Sequence, residues 1–200
     1  EGGEGEILRV HAWTWALDGA QHLAAGDISG TLERLERALE IDPNYQEGEG
    51  HLPRELSFVR YWKGLALRAQ GDESGAQSAL REGTMGAERA SAVELIFRAL
   101  CLRALDDQAG AQALLNQARS SCDAARRDIG KYHHFARSRV SYKPFEHDKA
   151  MMDELALAFP EALLAALDGD AEALERAAQR FPTEYRTAAA LKYPKLFGID

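Results

Sequence analysis

KGLALRAQGDESGAQSAL at Lys63–Leu80 and RALCLRALDDQAGAQALL at Arg98–Leu115 are one pattern written twice, 35 residues apart. Leu65, Leu67, Arg68, Ala69, Asp72, Gly75, Ala76, Gln77 and Leu80 recur as Leu100, Leu102, Arg103, Ala104, Asp107, Gly110, Ala111, Gln112 and Leu115. Half of the window is identical without a gap. Self-similarity at such a period marks a repeat architecture, in which each unit is one supersecondary element needing neighbours to bury its apolar face. A weaker copy lies upstream in DGAQHLAAGDISGTLERL, Asp18–Leu35, and a fourth surrounds Gly169-Asp170.

Each copy has the same grammar. An apolar stretch rich in alanine and leucine, both good helix formers, runs into Gly-Asp or Asp-Asp. Glycine accepts the positive φ of a helix C-terminus, and aspartate caps the free N–H groups of the helix that follows. Gly30, Gly75 and Gly110 share one position in the second helix, which suggests close approach of the two helices there. Helices are predicted near 6–25, 28–41, 54–70, 73–84, 88–105, 108–128, 146–168 and 171–181, with a short one at 183–191. Pro160 falls inside the seventh and must kink it or start a new helix. The fold expected is all-α, a solenoid of about four stacked hairpins forming one domain over 1–200. Its units lie near 6–43, 54–86, 88–128 and 146–182, with an irregular connector at 129–145.

These residues resemble the tetratricopeptide (TPR) repeat. Ala38-Leu39-Glu40-Ile41-Asp42-Pro43 is similar to the end of a TPR unit, and Gly19, Gly26, Ala38 and Pro43 match its glycine, turn, alanine and proline positions. Gly64, Gly71, Ala76 and Leu80 match in the second unit, and Ala99, Ala111, Leu115 and Ala118 in the third. The resemblance is good over 8–120 and looser over 146–182. Lys63 and Arg98 depart from it, since the family usually has a buried leucine there, and the unit spacings are unequal. The order YWKGLALRAQGD, FRALCLRALDD, KYHHFARSRVSYKPFEHD is also similar to the C-terminal repeat region of certain bacterial proteins with a mutarotase-like β-sandwich ahead of the repeats. That resemblance implies an accessory helical part of a larger carbohydrate-active enzyme. The chain opens at Glu1 rather than at Met, so it is expected to be a fragment or a processed product.

The formal net charge is −8, with Lys and Arg interspersed among Asp and Glu and no polybasic run. General nucleic-acid or anionic-membrane binding is therefore not expected. No apolar run reaches the roughly 18 residues of a membrane span, and no signal peptide is visible. Cys101 and Cys122 make no disulfide framework, so a reduced, cytoplasmic setting is the default. Cys101 reads as a small buried side chain and Cys122 as more exposed. His133, His134 and His147 form the one histidine cluster, but adjacent histidines rarely converge on one ion. No HExxH, Walker-type or GxSxG motif is present. No catalytic residue, metal or cofactor is expected.

The function expected is that of a protein- or peptide-binding scaffold. In the TPR resemblance the first helix of each hairpin lines a concave groove. The register puts Trp13, Phe58, Tyr61, Arg68, Ile96 and Arg103 on or near it. Trp13, Trp15 and Trp62 read first as core packing. Arg68 and Arg103 occupy equivalent places and form a short cationic ladder suited to an acidic group, either on a partner or within the domain. The partner expected is thus a protein or peptide of acidic character, or a catalytic domain of the same polypeptide.

Overall fold

The computed structural model describes residues 4–40, 56–86, 90–131 and 149–180. Among them are eight α-helices and no strand: α1 Glu4–Ala24, α2 Ile28–Leu39, α3 Ser57–Gln70, α4 Glu73–Thr84, α5 Ala92–Ala104, α6 Gln108–Arg127, α7 Lys149–Asp168 and α8 Ala171–Gln179. The expected helix at 183–191, the Gly-rich 46–53 stretch and most of the connector lie outside the described residues.

One turn is built four times. Gly26, Gly71 and Gly169 take φ of +79°, +92° and +70°, and Asp106 takes +65° in the same role. The amides of Asp27, Asp72, Asp107 and Asp170 then reach back to the carbonyls of His22, Leu67, Leu102 and Ala165, each at 2.9 Å. This six-residue closure satisfies carbonyls that a helix end otherwise leaves open. The same four aspartates turn their carboxylates forward and accept from the amides of Gly30, Gly75, Gly110 and Ala173 at 2.8–2.9 Å. Those amides are free donors in the first turn of the next helix.

The recurring Gly75 and Gly110 therefore do not mark close helix approach, whereas a Cβ on Gly30 would also meet His22 Nδ1 of α1 at 2.8 Å. A Cβ at Gly75 or Gly110 would meet the capping carboxylate, 2.2 or 2.5 Å from its Oδ2. Ala173 makes the same cap with a Cβ present. The close approach lies eight residues before each capping aspartate, at Gly19, Gly64, Ala99 and Ala162, all buried. A Cβ on Gly64 would fall 2.6 Å from Leu80 Cγ, and one on Gly19 3.2 Å from Leu35 Cγ. Eight residues after each cap stand Leu35, Leu80, Leu115 and Ala178, again buried. Thr31, Ala76 and Ala111 are also fully buried one turn nearer the cap, so an added side chain there has no room.

Each helix pairs with its hairpin partner: α1 with α2, α3 with α4, α5 with α6, α7 with α8. The first helices also touch in succession, α1 on α3, α3 on α5 and α5 on α7, while α2, α4 and α6 each touch the first helix of the next hairpin. Lys63 and Arg98, at positions where leucine was expected, stay half-buried and direct their polar ends to acceptors. Lys63 Nζ lies 3.9 Å from Glu36 Oε1, and Arg98 Nε donates to the Thr84 carbonyl at 3.0 Å. Pro160 starts no new helix: α7 runs through it, one backbone donor short.

Candidate functional site

The first helices present their aromatic residues to one centre. Trp13 of α1 lies flat on Phe58 of α3, with ring centroids 3.9 Å apart and planes at 4°. Phe97 of α5 and Phe159 of α7 meet the same indole edge-on, at 5.8 and 5.6 Å. Trp62 and Tyr61 complete the cluster through Phe97, at 5.4 and 6.1 Å. Such offset and edge contacts suit the quadrupole of aromatic rings and add to the gain from burial. All four hairpins are thereby joined at one point.

This divides the residues expected to line the groove. Phe58, Tyr61 and Ile96 are 3%, 4% and 0% exposed and belong to the interior. Trp13 is half-buried in the aromatic stack. Arg68 and Arg103, near the C-terminal ends of α3 and α5, remain at the surface, exposed and half-buried respectively. Phe97 and Phe159 were not read from the sequence as members of this centre. The register holds the signal for Phe159: it stands eleven residues before Asp170, as Tyr61 stands before Asp72 and Ile96 before Asp107.

The two arginines are not equal in their surroundings. Arg68 forks onto Glu73, donating from Nε and Nη2 at 3.0 Å each, and Nη2 also reaches the Ala104 carbonyl at 3.1 Å. Glu73 is held below the usual carboxylate range, first by this hydrogen-bonded arginine. Arg68 therefore ties the second turn to the end of α5. Arg103 has no ion pair or side-chain hydrogen bond among the described residues. Its charge is felt by the neighbouring Tyr61 phenol, whose pKa burial pushes well above its ordinary value.

A second polar place is internal. Glu94, 4% exposed, accepts from the Ser57 hydroxyl and, at 3.4 Å, from the Ser57 amide, so α5 supplies a carboxylate to the start of α3. A negative group there suits the free amides and the helix dipole. Cys101 packs beside it, its thiol pushed up by burial and then by the Glu94 charge.

A cleft of about 630 Å³ opens between α6, α7 and α8. Arg126 and Arg180 share Glu161, Arg180 also meets Glu154 at 3.3 Å, and Arg119 holds Asp168 at 2.6 Å. Arg119, Arg126 and Arg180 are thus committed to joining elements, while Arg176 pairs with Glu172 within α8. An apolar groove of about 470 Å³ lies between α5, α6 and α7 over Val93, Cys122, Leu157 and Pro160. Cys122 is buried rather than exposed, because it continues the α6 face of Ala111, Leu115 and Ala118. Burial, aided by Glu161 and Asp123, pushes its thiol up to about 11.

No three histidine, cysteine or acidic side chains converge in metal-binding geometry among the described residues. His133, His134 and His147 lie outside them. Among the described residues no helix is long and apolar enough to cross a membrane. No family model matches the sequence, and no curated protein or solved structure matches it.

Proposed function

We propose that the chain is a TPR-like helical repeat module that binds a protein or peptide along the face of its first helices. The observation behind this reading is the succession α1–α3–α5–α7, each helix backed by its own second helix through the same glycine- or aspartate-closed, aspartate-capped turn. Repeats arranged this way offer an extended surface rather than an enclosed reaction pocket. The aromatic centre fills that surface at the level of Trp13. The partner then meets the C-terminal ends of α3 and α5, where half-buried Leu65 and the arginines Arg68 and Arg103 lie.

The test is selection of a short random-peptide display library on the immobilised chain. The expected result is a small set of sequences that compete with one another and lose binding to Leu65→Glu. A library no more enriched on the chain than on the bare support overturns the reading.

A further inference from the structure

We infer that Arg103 is the seat for an acidic side chain of the bound partner segment, an inference that rests on the binding reading above. The repeat itself shows what an arginine at this position binds. Four residues before the capping aspartate of the second unit, Arg68 takes the carboxylate of Glu73, one residue past the cap, and the carbonyl of Ala104 in the next hairpin. The third unit keeps the arginine as Arg103 but has Gln108 where Glu73 would stand. The internal carboxylate is gone while the guanidinium remains.

Other half-buried arginines show how unusual this is. Arg34, Arg60, Arg119 and Arg180 each hold a carboxylate of a neighbouring helix, and Arg98 a carbonyl. Among the described residues Arg103 holds neither, although it is shielded from solvent to a similar degree. A partly desolvated guanidinium keeps its charge and its planar fork of donors, which a carboxylate matches in both sign and shape. Nothing in the chain's overall charge of −8 suggests an acidic partner. The local complementarity does, because this cation has no internal acceptor.

The experiment uses the same display library, fused through its C-terminal end so that no free terminal carboxylate is presented. Sequences recovered on the wild-type chain are expected to be enriched in Asp or Glu. Replacing that residue by Asn or Gln, or replacing Arg103→Gln in the chain, is expected to weaken binding about tenfold, as for a charge-assisted hydrogen bond. The two changes made together should cost little more than either alone. Arg103→Lys should recover part of the loss, and the thermal midpoint of Arg103→Gln should match the wild type. Recovered peptides without acidic enrichment, or binding unchanged in Arg103→Gln, overturn the inference and leave the binding module standing. An empty selection overturns both. A second copy of the chain as occupant would appear as a wild-type dimer that Arg103→Gln converts to monomer, and it would overturn the assignment to a separate partner.

Discussion

Trp13 and Phe58 lie face to face across α1 and α3, 3.9 Å between ring centroids and 4° between planes. The indole also receives Phe97 and Phe159 on its edge. One side chain thus touches all three of the other first helices. Trp13→Ala should cost about 3 kcal/mol, the lower part of the range for removing a large aromatic, because the ring is only half-buried. Trp15 stands on the other side of α1, half-buried at the edge of the core and 5.1 Å from the Arg37 guanidinium, and without the ring stack its removal should cost less, about 2 kcal/mol. Urea unfolding of the two variants measures the difference. Equal losses would show that the aromatic centre is not what joins the hairpins.

Two glycine substitutions should act with opposite signs. Gly64→Ala drives a methyl to 2.6 Å from Leu80 Cγ at the tightest point of its hairpin, and overpacking of this kind costs ~1–3 kcal/mol. Gly110→Ala meets only the Asp107 carboxylate, which can turn as Asp170 does beside Ala173, while alanine gains about 1 kcal/mol in helix propensity. The thermal midpoint should fall in the first variant and hold or rise in the second. A fall in both would restore Gly110 as a helix-contact residue.

The reasons for these two glycines separate what the sequence could show from what it could not. The turns were legible because every element of them is local: a glycine or aspartate at positive φ, the next aspartate, and an amide three residues on. Helix α4 accordingly spans Glu73–Thr84 as predicted, and α6 and α7 end within a residue of expectation. Which glycine faces another helix is a question about a partner sixteen residues away, and repetition alone does not answer it. The aromatic centre was hidden for the same reason. Trp13 and Phe58 share one register position, fourteen residues before their caps, and Phe159 shares that of Tyr61 and Ile96, but spacing does not record how the first helices lie on one another to bring these rings and Phe97 together. Cys122 was misplaced by its polar neighbours Ser120 and Ser121, whereas the four-, three- and four-residue steps from Ala111 put it on the buried stripe.

Acid should weaken the fold through Asp27 and Glu73. The Asp27 carboxyl is held below its ordinary value of 3.8, first by the Gly30 amide and then by the His22 ring 2.7 Å away. A carboxylate lowered in the folded state contributes stability above its unfolded pKa and loses it as pH falls through the folded one. Glu73 acts in the same direction from 4.5. The urea midpoint should therefore decline as pH drops below about 4.5. In Asp27→Ala the decline should be shallower, so that the variant and the wild type converge in acid. A constant gap between them down to the lowest pH would show that the cap does not titrate with folding.

Neither thiol should behave as a nucleophile. Cys101 and Cys122 are 0% and 4% exposed, and burial raises both pKa values, that of Cys122 to about 11. The thiolate is the reactive form, so at neutral pH almost none is present. A chromogenic disulfide reagent should react slowly with the native chain and with both cysteines promptly in urea. Fast reaction of one thiol under native conditions would place it in an open position and contradict the packing of α5 or α6.

The two equivalent arginines should respond differently to charge reversal. Arg68 is bound by Glu73 within its own turn, through Nε and Nη2, and by the Ala104 carbonyl of the next hairpin, through Nη2. Arg68→Glu removes both contacts and sets a carboxylate beside Glu73, a like-charge contact within one turn. The site is partly exposed and screened, so the expected loss is a few degrees in the thermal midpoint rather than unfolding. Arg103→Glu removes no ion pair or side-chain hydrogen bond among the described residues but exchanges a cation for a carboxylate in the last turn of α5, so the midpoint should fall by less than in Arg68→Glu. Added salt should bring the two variants closer, because it screens the repulsion between the new carboxylate and Glu73 in Arg68→Glu more than the weaker helix-end term in Arg103→Glu. If both variants lose stability equally, the repeat equivalence extends to the surroundings of the arginines as well as to their positions, and Arg103 is a structural residue. If Arg68→Glu loses more, the third unit has kept a cation that the fold itself uses less.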